Sequence, residues 1–98
     1  MIRGTTPIHV FMVDYDLTEA EVIYVSYSQR NNVLIEKSIE DITIEPDRLI
    51  ISMTQEETLR LDSSMCEIQI RAKMPDGLAL ASNIMTTVVK PILKGGEI

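Results

Sequence analysis

Apolar and polar residues alternate along most of this chain with a period of two, the spacing of strands whose successive side chains point to opposite faces. The clearest run is Glu67-Ile68-Gln69-Ile70-Arg71-Ala72-Lys73-Met74, with Ile68, Ile70, Ala72 and Met74 on one face and the polar residues on the other. Such a run is a half-buried antiparallel strand. Pro75-Asp76-Gly77 follows, pairing a fixed φ with a residue free to take positive φ, and the apolar pattern resumes at Leu78. That arrangement predicts a hairpin.

Two more hairpins follow from the same signals. The β-branched and aromatic run Glu21–Ser28 and the run Val33–Lys37 flank Arg30-Asn31-Asn32, where Asn31-Asn32 suits a tight turn because asparagine tolerates the left-handed region. Ile42-Thr43-Ile44 and Leu49–Met53 flank Glu45-Pro46-Asp47-Arg48. An opening strand is expected over Ile8–Val13, ended by the acidic turn Asp14-Tyr15-Asp16. Between Met53 and Cys66 the alternation stops, and Thr54-Gln55-Glu56-Glu57 matches a capping box, which predicts one short helical turn with Leu59 and Leu61 set on the core. The last strand runs from Leu78 toward Val89 with a bend or bulge at Ser82-Asn83, and Pro91 stops it. About seven strands at spacings of roughly 8 to 12 residues, with one helical turn, describe an immunoglobulin-like antiparallel β-sandwich; a single curved sheet or a small barrel is the alternative. With 98 residues there is room for one such domain, spanning residues 1–98.

Charge narrows the partners. Fifteen acidic against nine basic residues leave a net charge of -6, a field that repels phosphate backbones and anionic headgroups. The bases are scattered and no aromatics interleave with them, so nucleic acid is not an expected partner. No apolar run approaches the roughly 18 residues of a membrane span, and Met1–Pro7 lacks the pattern of an export signal, so no membrane partner and a cytoplasmic site of synthesis are expected.

The chain offers little for catalysis. Cys66 is the single cysteine, which precludes an internal disulfide, and its place at the start of an alternating strand reads as a small buried apolar side chain. His9 is the single histidine and has no HxxH or CxxC companion. Asp14, Asp16, Glu19 and the Thr18 hydroxyl form the densest oxygen cluster, but without the glycine and spacing of a calcium loop. Glu56 and Glu57 are adjacent and do not face each other as paired catalytic acids must. There is no glycine-rich phosphate cradle and no nucleophile elbow, so no enzyme, no cofactor and no metal site is expected.

The first two strands carry more apolar side chains than one inner face needs. With Phe11 and Val13 inward, Ile8, Val10 and Met12 point outward; with Ile23, Val25 and Tyr27 inward, Val22 and Tyr24 point outward. Those five residues are the candidate interface, expected as one contiguous patch. The competing account is that another segment of the same monomer covers them, or that they are scattered.

The opening Met-Ile-Arg-Gly-Thr-Thr-Pro-Ile-His-Val-Phe, the internal Met53–Leu59 and the closing Gly77–Ser82 resemble short prophage-encoded proteins of Gram-positive bacteria, over nearly the whole chain. Those proteins are similar in plan to the immunoglobulin-like domains of phage tail and baseplate proteins. The resemblance implies a non-enzymatic virion or assembly component, made in the cytoplasm, that contacts other virion proteins or itself as a homo-oligomer. Ile8, Val10 and Met12 depart from that group, where polar residues suit a solvent face. Two other readings stand beside it: a carbohydrate- or peptide-binding adhesion module using Tyr15 and Tyr24, and a small acidic regulatory or inhibitor protein.

Overall fold

The computed structural model describes residues 1–98. In chain order the strands are β1 (Ile8–Met12), β2 (Val22–Gln29), β3 (Asn32–Ser38), β4 (Ile42–Glu45), β5 (Arg48–Ser52), β6 (Met65–Lys73), β7 (Ala79–Ala81) and β8 (Met85–Val88). One short helix, α1 (Gln55–Leu59), joins β5 to β6, and a 3-10 turn over Ile39–Asp41 joins β3 to β4. The smaller sheet has the order β1-β5-β4, and the larger has β3-β2-β6 with β7 and β8 both on the far edge of β6. Every strand pair is antiparallel. Three links are hairpins within a sheet, and the links β1 to β2, β3 to β4 and β5 to β6 cross between sheets, a Greek-key plan for a two-layer antiparallel β-sandwich. Residues 1–3 do not pair with β1 as a first strand would. Ile2 instead forms a parallel bridge to Lys90, fixed by Lys90 N–H donating to the Met1 carbonyl at 2.7 Å and Arg3 N–H to the Lys90 carbonyl at 3.1 Å.

The alternation read from the sequence is the alternation of burial. On β2, Ile23, Val25 and Tyr27 are fully buried, and on the paired β6 Cys66, Ile68, Ile70 and Ala72 are buried. Leu49 and Ile51 of β5 meet them from the smaller sheet, within one continuous apolar cluster.

The turns show where local chemistry decided the backbone. Arg30 and Asn31 carry φ of 51° and 64°, so the β2–β3 turn lies one residue earlier than expected and Asn32 already opens β3. Two consecutive positive φ values make a type I′ loop, whose twist suits a hairpin. At the β6–β7 turn Gly77 has φ 91°, Gly77 N–H donates to the Met74 carbonyl at 2.9 Å, and Met74 N–H to the Leu78 carbonyl at 2.8 Å. The bend at Ser82-Asn83 divides the last strand into β7 and β8. The Ser82 hydroxyl causes the break by accepting from Ile70 N–H at 3.0 Å while donating to the Asn83 carbonyl at 2.8 Å. The side chain thus takes a ladder position, and the backbone leaves the sheet until Met85.

Helix α1 is fixed at both ends. Thr54 Oγ1 accepts from Glu57 N–H at 3.1 Å and Glu57 Oε1 accepts from Thr54 N–H at 2.9 Å, the reciprocal capping box. The buried Thr58 hydroxyl donates to the Thr5 carbonyl at 2.8 Å, and the Arg3 guanidinium donates to the carbonyls of Leu59, at 3.0 Å, and Leu61. Glu57 also meets Lys37 Nζ of β3 at 2.7 Å, with side-chain exposures of only 16% and 10%. Burial pushes the Glu57 carboxyl up, but the Lys37 ammonium and the Thr54 amide outweigh it and hold the group below its ordinary value.

A buried pair of this kind is costly to halve and cheap to replace whole. Glu57→Ala is therefore expected to lower the unfolding free energy by about 3 kcal/mol, because it strands the Lys37 ammonium and removes a cap. The double variant Lys37→Met with Glu57→Gln, which keeps an acceptor for the Thr54 amide, is expected to recover most of that loss in urea melts.

Candidate functional site

Strand β1 is the edge of the smaller sheet and pairs only with β5, in the register His9 with Ile51 and Phe11 with Leu49. Met53 N–H donates to the Pro7 carbonyl at 3.0 Å and Val13 N–H to the Asp47 carbonyl at 2.9 Å, so the odd-numbered residues of β1 carry the ladder bonds to β5. The N–H and C=O groups of Ile8, Val10 and Met12 consequently point to the open edge. The same three side chains stand on the outer face of the sheet, 66%, 51% and 65% exposed. Beside Val10 across the pair lies Ile50, half-buried, and beside Met12 lies Arg48, which meets Glu45 at 3.6 Å. Edge strands normally carry a charge or a proline that discourages pairing. Among the other edges, β3 has Glu36 and Lys37, β4 has Glu45, β7 is only three residues long, and β8 lies next to the bridge made by Ile2. β1, Ile-His-Val-Phe-Met, has neither charge nor proline.

The five outward residues named from the sequence do not form one patch. Val22 and Tyr24 belong to the larger sheet, and their outward side chains leave the opposite face of the sandwich from Ile8, Val10 and Met12. There Tyr24 lies between Ser38 and Arg71, and Val22 lies beside Lys73, so polar and charged neighbours break up the apolar surface. Contiguity fails because β1 and β2, though consecutive, are in different layers. The patch that does form adds Ile50, whose signal was present in the sequence as an apolar run, Leu49-Ile50-Ile51, with no polar residue to mark an outer face.

A groove of about 480 Å³ opens where the two sheets part beside β1. One wall is Met12, Val13, Tyr15 and Leu17; the other is Ile70 and Ala72 of β6 with Leu80 and Met85 of β7 and β8. Leu80 pairs with Ala72 and Met85 with Ile68, so both point toward the inside of the sandwich. The groove exists because the layers are unequal: the smaller sheet ends at β1, and the row made by β7 and β8 has no strand across from it. Asp14 is the one charged residue in the lining. Tyr15 stands at this groove and Tyr24 on the larger sheet's outer face, so the two named tyrosines do not combine into one stacking platform.

No family model, curated protein or solved structure matches this chain.

The remaining candidates serve the fold. His9 Nδ1 lies 2.7 Å from the Tyr27 hydroxyl, joining β1 of one sheet to β2 of the other, and Phe11 stands edge-on to the imidazole at 6.1 Å. Burial lowers the His9 pKa, with a smaller push from the amino terminus, and burial raises that of Tyr27. Cys66 is buried, and burial pushes its thiol up, which keeps it protonated and a poor nucleophile. Asp16 spends its Oδ1 on the Thr18 amide at 3.0 Å and hydroxyl at 2.7 Å, which orders the turn. His, Cys, Asp and Glu side chains nowhere gather in threes in an arrangement fit to hold a metal ion.

His9 generates a pH dependence with a definite sign. Its folded-state pKa lies below the ordinary 6.5, so the unfolded chain binds more protons in that range and stability falls as pH drops from about 6.5 through the lowered value. Urea melts between pH 7.5 and pH 5 are expected to show this loss, and His9→Gln is expected to flatten it; an equal slope in both proteins would exclude His9 as the source.

Proposed function

We propose that this chain is a non-enzymatic structural or assembly protein of a phage or prophage particle, acting through protein–protein contacts. The observation that carries the contact reading is β1: an uncharged edge strand whose outward Ile8, Val10 and Met12 are more than half exposed and join Ile50 in one apolar stripe. An apolar surface of this kind on a small domain is expected where another protein covers it. The resemblance of Met1–Phe11, Met53–Leu59 and Gly77–Ser82 to prophage-encoded proteins supports the particle as the setting. The ionisable side chains inside the fold support a role without catalysis, since His9 and Tyr27 tie the sheets together and Lys37 and Glu57 fasten α1 to β3.

The outer face of the smaller sheet contacts other particle components or further copies of this chain. Light scattering after size exclusion is expected to show a mass that rises with concentration, and Val10→Lys, which places a charge at the centre of the stripe, is expected to hold the protein at monomer mass. Gradient-purified particles from an induced culture are expected to contain the wild-type chain and to lose it with the same substitution. A wild-type protein that stays monomeric at high concentration removes self-association; its absence from particles removes the particle role.

A further inference from the structure

The open edge of β1 runs at its Met12 end into the groove, whose far wall carries Leu80 and Met85 of β7 and β8, and no segment of residues 1–98 pairs with that edge. We propose that this edge takes one extended segment of a partner protein, lying antiparallel to β1, with alternate apolar side chains in the groove and a positive charge near its amino end against Asp14. This deepens the contact reading above and rests on it, since it identifies which part of β1 a partner engages and what the partner presents.

Three features select that occupant. The N–H and C=O groups of Ile8, Val10 and Met12 face outward in the plane of the sheet, which is what an added strand requires and an aliphatic small molecule does not use. At the Met12 end the strand's inward side chains would fall between Val13 and Leu17 on one side and Ile70, Leu80 and Met85 on the other, so those side chains must be apolar. There Asp14 lines the groove, is exposed and is in no ion pair, which favours a cation at that end. For an antiparallel strand that end receives the amino terminus.

Within residues 1–98 the terminal segments are engaged elsewhere: Met1–Arg3 is bonded to Val88 and Lys90, and the backbone of Ile98 to Gln55 on α1. A second copy pairing β1 antiparallel to β1 would bring its Thr5-Thr6-Pro7 toward Asp14, a segment with no positive charge, so a different chain fits the acidic end better.

The test is an amide NMR titration of the full chain with a carboxyl-amidated seven-residue peptide of alternating valine and threonine bearing lysine at its amino end. Shifts are expected at the amides of Ile8, Val10, Met12 and Leu80, with exchange at the three β1 amides slowed by about tenfold or more at saturation. Replacing the peptide's lysine by glutamate is expected to weaken binding by about threefold, and Asp14→Lys, an exposed change, to reverse that preference. The proposal is overturned if no amide moves up to about 1 mM peptide. It is also overturned if the shifts fall on β3 or β4, or if Asp14→Lys leaves the preference unchanged. If the peptide fails while Val10→Lys still abolishes self-association, strand addition at this edge is excluded and the outer-face contact stands. If both fail, the contact reading at β1 falls as well.

Discussion

The central ladder between β2 and β6 is the constraint on which the rest of the structure depends. It runs without interruption from Val22 opposite Lys73 to Ser28 opposite Glu67, and it places Ile23, Val25 and Tyr27 on the same face as Ile68, Ile70 and Ala72. A slip of one residue by either strand would turn its three toward water, so the register is fixed by burial and not by the turns alone. With that face dry, a second layer becomes obligatory, and β5 supplies Leu49 and Ile51 to it. β1 is held in that layer by β5 and by the His9 contact to Tyr27, and its other edge carries no strand.

Much of this was legible in the sequence because a period of two maps directly onto burial. The runs Glu67–Met74 and Glu21–Ser28, the capping box at Thr54–Glu57, the Pro75-Asp76-Gly77 turn and the bend at Ser82 all appear where local chemistry puts them. The β2–β3 turn closes on Arg30-Asn31 because a bulge at Leu34, between the pairs Tyr27–Ile35 and Ser28–Val33, shifts the register of β3 by one residue. The 3-10 turn at Ile39–Asp41 carried no distinct apolar signal and follows from the need to cross between sheets within three residues.

The surface was less legible, for a physical reason. Alternation tells which residues share a face of one strand, but it does not say which strands share a sheet. Ile8, Val10 and Met12 were correctly placed outward, yet their grouping with Val22 and Tyr24 required β1 and β2 to be neighbours, and the Greek-key crossing puts them in opposite layers. The groove was invisible for the same reason, since it arises from a difference in the number of rows and not from any residue type.

The bridge between Ile2 and Lys90 has a mechanical consequence. Its two segments run parallel and belong to opposite ends of the chain, so tension applied along the polypeptide slides one past the other. The hydrogen bonds joining Met1 and Arg3 to Lys90 then bear the load together instead of opening in turn, and the link acts as a shear clasp that must rupture before β1 can be peeled from β5.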